Sequence, residues 1–343
     1  MRWNNLLLTE SSSPDGMSAP LFELGAVERT FDTPEFRGIT FYEIRAKSII
    51  NRVPEASHVP FRWTINPYRG CSHSCVYCFA RNTHNYLELD YGEDFNSKIV
   101  VKVNAAEKLR VELARPTWKA EHIAMGTNVD PYQRAEGRYK LMRGILEALR
   151  DFANPFSILT KGSLILRDID LLQQCADVAD VGTNVSVGFV DREMWRLLEP
   201  GTPSPQKRLE VCAKLNEAGV PCGVLMAPII PFLSDSPKDL EAAVRAIADS
   251  GATHVSPIVL HLRPGAREWF MAWLGENRPE LVREYERLYA RGSYASKAYQ
   301  QDVYATVHKL AERFGVGKTS PTKMRRIRPS NKESATSEQL ALI

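Results

Sequence analysis

From about residue 60 onward, six apolar, strand-like segments alternate with helix-like segments, and this alternation constrains the fold more than any other feature. The six segments are 61–66, 122–127, 156–160, 184–189, 223–229 and 255–262. Strands that are each followed by a helix form βαβ units, which build a parallel sheet. A closed TIM barrel needs eight such units. The sequence therefore predicts an α/β fold, a partial (βα)6 barrel of TIM type, with chemistry where the strands end in loops.

Helix signals lie between and beyond these strands. Helices are expected at 104–113, 139–149, 168–178, 191–198 and 206–218. Asn104 and Glu107 have the spacing of a capping box at the start of the first helix. Ser236 and Pro237 predict the N-cap and first residue of a further helix.

We expect four parts along the chain. They are an N-terminal extension (1–59), a core (60–262), a C-terminal helical region (263–315) and a basic, polar tail (316–343). In the extension, 9–20 has the composition of a linker, and 28–63 that of short strands or an extended wrap. The tail carries Lys318 and a basic run at 323–328, and we expect disorder from about residue 330. Such a run is more often a solvated tail than a phosphate-binding arm.

Composition places the chain among ordinary globular proteins. Hydrophobic residues make up 44% of its 343 residues and charged residues 25%, with a net charge of +3. No apolar run approaches the roughly 18 residues of a membrane span, and the N-terminal apolar segment is too short for a signal peptide. We therefore expect a protein of the reducing cytoplasm that does not bind a membrane.

Three cysteines follow the first predicted strand at spacings of four and three residues: Cys71, Cys75 and Cys78. Gly70 allows a tight turn before the first sulfur, and the short gaps direct the side chains toward one small volume. Three thiolates can hold three corners of a [4Fe–4S] cluster and leave the fourth iron to an outside ligand. Zinc completed by His73 or His84 is the alternative. A disulfide is not favoured, because three is odd and nothing marks the chain as secreted.

The pattern Cys-x-x-x-Cys-x-Tyr-Cys at 71–78 resembles the CxxxCxφC signature of radical S-adenosylmethionine (SAM) enzymes, in which φ is an aromatic residue. The longer stretch Tyr-Arg-Gly-Cys-Ser-His-x-Cys-x-Tyr-Cys-Phe-Ala-Arg resembles the spore photoproduct lyase-like branch, especially an actinobacterial group, and the likeness covers roughly 60–262.

This resemblance implies a lyase- or transferase-type enzyme. Its [4Fe–4S] cluster would cleave SAM reductively to a 5′-deoxyadenosyl radical, which abstracts hydrogen from a substrate, with nucleic acid as one candidate. A flavodoxin- or ferredoxin-type protein would supply the electron. The alternative from a different class is a non-catalytic zinc- or iron–sulfur-binding module.

The resemblance also assigns SAM contacts. Tyr77 occupies the position of the family aromatic residue beside adenine. Gly126 and Thr127 end the second strand, where a GGE-type motif contacts the SAM amino group, although the usual Glu is missing here. Lys161 and Ser186 match positions that bind SAM in spore photoproduct lyase.

Two further segments resemble that branch. The stretch 199–208 is similar to its Glu-Pro-Gly-Thr-Ser-Pro segment, and Arg208, at an expected exposed helix start, could pair with the SAM carboxylate. The stretch 227–231 resembles a fifth-strand segment near adenine. Asp130 is interpreted equally as a loop cap or as a substrate contact.

Other residues are expected to be structural. Three cysteines at apolar helix positions or at a strand start should be buried: Cys175, Cys212 and Cys222. His254 and His261 flank the sixth strand and are interpreted as satisfied structural histidines. Phe79 and Met125-Gly126-Thr127 stand where spore photoproduct lyase has its hydrogen-returning tyrosine and cysteine, so the resemblance does not transfer thymine-dimer reversal by that relay.

Overall fold

The computed structural model describes residues 6–7, 26–57 and 59–316. The strands are β1 (Leu6–Leu7), β2 (Val27–Thr30), β3 (Thr40–Ala46), β4 (Ile50–Arg52), β5 (Trp63–Ile65), β6 (Tyr68–Arg69), β7 (Lys98–Lys102), β8 (Ile123–Met125), β9 (Phe156–Thr160), β10 (Val181–Ser186), β11 (Cys222–Ile229) and β12 (Val255–Val259). The expected linker at 9–20 and the basic tail lie outside the described residues.

The helices are α1 (Glu93–Ser97), α2 (Ala105–Leu113), α3 (Arg134–Tyr139), α4 (Leu141–Asp151), α5 (Ile169–Val178), α6 (Arg192–Leu198), α7 (Pro205–Glu217), α8 (Pro237–Asp249), α9 (Ala266–Asn277), α10 (Val282–Leu288) and α11 (Lys297–Phe314). Within the described ranges, none of them combines the length and apolar character that a membrane span requires.

The larger sheet has seven strands in the order β12-β11-β10-β9-β8-β5-β4. Six of these strands pair in parallel: β5, β8, β9, β10, β11 and β12. The seventh, β4, joins the edge antiparallel to β5. The predicted strands agree with these six to within three residues at either end. This arrangement confirms the α/β fold with parallel units in sequential order.

Five further strands form a smaller sheet in the order β1-β3-β7-β6, with β2 paired to β3. Short strands were expected from the extension, but β7 was not predicted. Only Asn66 and Pro67 separate β5, in the larger sheet, from β6, in the smaller one. The chain therefore changes sheets immediately before the cysteine loop. The division into domains stays a prediction, although the smaller sheet combines strands from both sides of residue 60.

Two helix predictions need correction. The helix expected at 139–149 corresponds to α4, which begins only at Leu141 because Lys140 adopts φ +52°, and the short helix α3 before it was not predicted. Asn104 precedes α2 as expected, but its side chain does not cap the helix. It accepts from the N–H of Ala46 at 2.8 Å and donates to the carbonyl of Ala46 at 3.0 Å. Glu107 pairs instead with Arg45.

Other structural expectations are confirmed. The side chain of Ser236 caps α8 by accepting from the N–H of Asp239. The three remaining cysteines are fully buried in the main core: Cys175, Cys212 and Cys222.

Candidate active site

The cysteine loop begins at a tight turn. Gly70 has φ +81°, and an added Cβ there would lie 2.8 Å from the carbonyl oxygen of Lys98. The N–H of Cys71 donates to the carbonyl of Phe95 at 2.9 Å. The side chain of Gln133 donates to the carbonyl of Gly70 at 2.9 Å. Glycine is needed ahead of the first sulfur because the loop passes directly against β7.

The last residue of α6 and the segment after it hold the other side of the loop through their backbone. The N–H of Val76 donates to the carbonyl of Leu198 at 3.0 Å, and the N–H of Gly201 donates to the carbonyl of His73 at 3.0 Å. The stretch that resembles the family's Glu-Pro-Gly segment therefore fixes the conformation of the cysteine loop.

Arg81 supports the loop from within the core. Its guanidinium is fully buried and lies over the rings of Phe95 and Trp269. It donates to four acceptors: Cys75 O (3.0 Å), Tyr91 O (3.1 Å), Gly92 O (2.8 Å) and Asn96 Oδ1 (3.1 Å). Sequence reasoning noted this arginine only as the end of the motif.

The three cysteines border one cavity of about 520 Å³, at the ends of the parallel strands. The cavity volume is in the range of ligand pockets. Among the residues that line it are five of the six expected SAM contacts: Tyr77, Gly126, Thr127, Lys161 and Ser186. Residues as far apart in sequence as Cys71 and Ser186 are thus brought to one space.

The thiols lie in a low-dielectric setting. Cys71 and Cys75 are each 7% exposed. Burial raises the pKa of Cys71, Cys75 and Cys78. Unliganded, the three groups are therefore protonated at neutral pH. A metal centre would have to displace these protons to hold the sulfurs as thiolates.

A cluster and a single metal ion require different arrangements of donors. Among the described residues, no three His, Cys, Asp or Glu side chains form a group that could hold one metal ion. Tetrahedral zinc requires such a group, with sulfurs at about 2.3 Å from one centre. A cubane binds each thiolate at a different iron, so its ligands need only surround a shared space. Three cysteines around one cavity are the ligand set that a [4Fe–4S] cluster takes, and the choice between cluster and zinc stays a prediction.

The two histidines considered for zinc have other partners. His73 lines the cavity, and its Nδ1 lies 3.3 Å from the carboxylate of Asp130. Nε2 of His84 lies 3.0 Å from the carbonyl oxygen of Lys98, and burial lowers the pKa of His84. The ring of His84 packs under Gly70 and does not line the cavity. Neither histidine completes a site with the three sulfurs.

Lys161 connects the ends of β9 and β10. Its Nζ donates to the hydroxyl of Ser186 at 2.6 Å and lies 3.7 Å from the carboxylate of Glu199. The same ammonium is 5.8 Å from the ring centroid of Tyr77, whose hydroxyl donates to Glu199. The cation, the hydroxyl and the aromatic ring assigned to SAM are therefore held in one hydrogen-bonded group.

The exposed position expected for Arg208 is wrong. Its side chain is 1% exposed and pairs with Glu199, while Nη1 donates to the carbonyl of Ser186 at 2.6 Å. Burial alone would raise the pKa of Glu199, but Arg208 and Lys161 more than offset this effect and lower it. Arg208 does not line the cavity. Its contact with the SAM carboxylate stays a prediction, and its evident role is to hold Glu199.

Gly126, directly after β8, lies against the backbone of β9. It has φ +89°, and an added Cβ would lie 1.9 Å from the carbonyl oxygen of Leu159. The next residue, Thr127, lines the cavity with a buried hydroxyl that has no hydrogen-bond partner among the described residues. A glycine followed by a free hydroxyl suits a ligand that approaches the backbone closely.

The carboxylate of Asp130 binds groups from three segments of the chain. Its carboxylate accepts from the N–H of Tyr132 at 2.9 Å, the hydroxyl of Thr160 at 2.6 Å and the N–H of Lys161 at 2.6 Å. Burial would raise the pKa of Asp130, but His73, the hydroxyl of Thr160 and the N–H of Lys161 lower it. These bonds favour the loop-cap interpretation, since the carboxylate joins the loop after β8 to β9 and to the cysteine loop.

Comparison with known proteins supplies the family. The profile of the radical SAM superfamily matches residues 65–252. The chain belongs to the radical SAM superfamily. An uncharacterised protein of Mycobacterium tuberculosis is 46% identical over 316 residues, which are 92% of this chain and 93% of that protein. An uncharacterised protein of Methanocaldococcus jannaschii is 33% identical over 199 residues, 57% of this chain and 70% of its own.

Solved structures of spore photoproduct lyase share the fold of this radical SAM protein. The lyase complexed with dinucleoside spore photoproduct has a TM-score of 0.61 at 15% identity, and the match covers 81% of this chain and 80% of that one. A mutant lyase with bound AdoMet and the same dinucleoside has a TM-score of 0.59 at 15% identity, covering 78% and 77%. At such identity the likeness concerns the fold.

Sequence reasoning missed part of this radical SAM cavity. Asn66 Oδ1 and His261 Nε2 are buried without a hydrogen-bond partner in the described chain, and both residues line the cavity. The expectation that His261 is satisfied is therefore wrong, whereas His254 bonds to Thr253 as expected. Asn66 directly follows β5, and His261 lies two residues beyond β12. Position after a strand end was the signal that could have found both.

The departure from spore photoproduct lyase also falls in the cavity. Phe79 lines it and packs on His261 with ring centroids 5.2 Å apart, while Arg263 lies over the Phe79 ring at 5.5 Å. Met125 is buried in the main core and does not line the cavity. An aromatic wall thus occupies the position at which the resemblance would place a hydrogen donor.

Proposed function

We propose that this protein is a radical SAM enzyme that holds a [4Fe–4S] cluster on Cys71, Cys75 and Cys78 and cleaves SAM reductively. The observation that carries the proposal is the cavity in which these thiols meet residues of all six parallel strands or of the loops that follow them. When bound, the cluster supplies the electron that splits SAM into methionine and a 5′-deoxyadenosyl radical, which takes hydrogen from the substrate.

The residues of the cavity would bind and orient SAM. The ammonium of Lys161 and the hydroxyl of Ser186 can pair with its carboxylate, and Thr127 offers a free hydroxyl beside the close backbone approach at Gly126. Tyr77, fixed through Glu199, offers its ring to adenine. These roles extend the sequence predictions and are tested by SAM affinity in single variants.

Apolar residues from the last strands would keep water from the reacting atoms. Leu225, Ile258 and Leu260 line the cavity. A radical that abstracts hydrogen needs such a dry wall, because side reactions compete once solvent enters. A flavodoxin- or ferredoxin-type donor and the distinction between lyase and transferase stay predictions.

The first test is anaerobic reconstitution with iron and sulfide, followed by reduction in the presence of SAM. We expect about four irons per chain and formation of 5′-deoxyadenosine. Cys75→Ala should lose the product to background, since one iron loses its thiolate. Cys175→Ala, which removes a buried cysteine of the core, is the matched control and should retain it.

Full 5′-deoxyadenosine formation in Cys75→Ala would overturn the proposal. Metal analysis of protein purified without oxygen addresses the non-catalytic alternative: one zinc and no iron per chain would favour a zinc module. Nucleic acid as substrate is supported by the basic run at 323–328 and by the structural neighbour that is complexed with dinucleoside spore photoproduct. Its test is binding that weakens with salt in proportion to the phosphates contacted.

A further inference from the structure

The cavity leaves one permanent positive charge unpaired. Five cations line it: Arg52, Arg69, Lys102, Lys161 and Arg263. Arg52 pairs with Glu55, Lys161 lies near Glu199, and Arg69 also has an interaction partner. Neither Lys102 nor Arg263 forms an ion pair within the described part of the chain. Burial lowers the pKa of Lys102 to about 7, whereas an arginine side chain stays protonated throughout the pH range in which proteins fold.

Arg263 stands on a fixed stretch of backbone beyond the last parallel strand, β12. The residue before it, Leu262, is 1% exposed, and its N–H donates to the carbonyl of Ser293 at 2.7 Å. The carbonyl of Arg263 accepts from the N–H of Arg267 at 2.8 Å. A side chain carried by such a backbone is preorganised, and preorganisation reduces the entropy that a ligand must lose on binding.

The guanidinium of Arg263 lies on an aromatic ring and keeps its donors free. Its Cζ is 5.5 Å from the ring centroid of Phe79, within the range of a cation–π contact. It donates no hydrogen bond within the described residues, and none of its nitrogens is a buried atom without a partner, so they are accessible. His261, which packs on the same Phe79, is neutral near pH 7, since burial, and secondarily the charge of Arg263, lowers the pKa of His261 to about 4.

Arg263 also lies apart from the residues proposed for SAM. Those residues belong to the cysteine loop or come from the ends of β8, β9 and β10, whereas Arg263 follows β12. In the sheet, β11 separates β12 from β10, which amounts to two strand spacings, or about 10 Å. Ile258 and Leu260 line the cavity on the β12 side. A second ligand can therefore lie beside SAM, with a charged end at Arg263 and an apolar part against these side chains.

We infer that Arg263 binds the substrate, and that the substrate carries an oxyanion, a phosphate or a carboxylate group, attached to an apolar part. A guanidinium presents parallel N–H donors that match either group. The inference rests on the proposed function, because it takes the second ligand of the cavity to be the substrate. It adds a substrate class and a substrate-binding residue to the residues proposed for SAM.

The test is calorimetric titration of the cluster-loaded protein with SAM present and no reductant. The probes are phenyl phosphate, benzoate and the neutral benzyl alcohol. We expect one of the two anions to bind roughly tenfold more tightly than benzyl alcohol, or better, the gain expected from a charge-assisted hydrogen bond. The tighter anion identifies the group as a phosphate or a carboxylate.

Arg263→Gln should weaken the preferred anion roughly ten- to hundredfold and leave benzyl alcohol unchanged, because the charge is lost. Arg263→Lys keeps the charge without the planar fork of donors and should lose less. SAM should bind to Arg263→Gln as to wild type, which also shows that the variant is folded. Arg283→Gln, at an exposed position on α10, is the matched control and should bind the anion as wild type does.

The inference is overturned if neither anion binds more tightly than benzyl alcohol, or if Arg263→Gln and wild type bind the anion equally. An equal loss of SAM affinity in Arg263→Gln would also overturn it, since Arg263 would then belong to the SAM site. No step of the titration needs SAM cleavage. Arg263-dependent anion binding without 5′-deoxyadenosine formation would reject only the proposed function, and the converse would reject only the role of Arg263.

Discussion

Gly126 combines a left-handed backbone with a neighbour that excludes a side chain. We expect Gly126→Ala to destabilise the protein by about 3 kcal/mol, because the new methyl group would collide with the carbonyl of Leu159 and the positive φ adds strain. Urea unfolding measures the loss, and SAM affinity should fall with it. Gly251→Ala is the control: φ is +68° there, but nothing lies within 4 Å of the added Cβ.

The expected cost for Gly251→Ala is about 1 kcal/mol, that of the backbone alone. Equal losses in the two variants would show that the close contact at Gly126 contributes nothing.

Arg81 is buried with four acceptors and two aromatic rings around it. Arg81→Met should cost about 3 kcal/mol in unfolding free energy and lower the iron content after reconstitution, because the acceptors lose their donor. Arg138→Met removes another arginine that lies over a ring, Phe31, but at an exposed position. Arg138→Met should change stability by less than about 1 kcal/mol. A loss as large as that in Arg81→Met would contradict the supporting role assigned to Arg81.

These residues differ in how far sequence could predict them. Cys71, Cys75 and Cys78 were found because their spacing is short, so that local geometry alone brings them together. Arg81 was not recognised, since its acceptors and the ring of Trp269 come from segments that only the folded chain assembles. Arg208 was expected to be exposed because it begins a predicted helix, and charged residues are rarely fully buried.

At the scale of elements, Asn104 connects the end of β3 to the start of α2. We expect Asn104→Ala to cost about 2 kcal/mol, because the buried N–H and carbonyl of Ala46 would both lose their partner. Glu107→Gln, at the ion pair with Arg45, should cost less than about 0.5 kcal/mol, because its side chain is 68% exposed. Denaturant titration of both variants measures the difference, and a reversed order would restore the capping-box interpretation.

Strands of the larger sheet could be predicted because each is a short apolar run that a helix follows. The smaller sheet could not, for β6 has two residues and β7 pairs in parallel with β3, 58 positions earlier in the chain. Such pairing leaves no local pattern in the sequence. The break between α3 and α4 was missed because Lys140, unlike glycine, gives no sign of a positive φ.

At the scale of the whole molecule, buried histidines make stability depend on pH. Burial lowers the pKa of His122 and of His261 to about 4. Both bind protons less readily when folded, so the unfolded state takes up more protons as the pH falls from about 6.5 toward 4. The neutral imidazoles therefore contribute their full stabilisation above about pH 6.5. This contribution is lost as the pH falls toward 4.

We expect the urea midpoint to fall between pH 7 and pH 5, and His122→Phe to flatten part of that decline. His308→Gln, at an exposed position on α11, should keep the wild-type decline. Parallel curves for wild type and His122→Phe would show that this histidine does not contribute to acid sensitivity.

The two-residue connection between β5 and β6 has a consequence for any attempt to shorten the protein. A fragment that starts at residue 60 would keep all six parallel strands and all three cluster cysteines. It would lack β3, along which β7 makes five register pairs from Thr40 to Ile44. Trimming the chain to residues 60 onward is therefore expected to yield a fragment that folds its strands but retains iron poorly. The turn at Gly70 packs against β7, and β7 would have lost its partner strand β3.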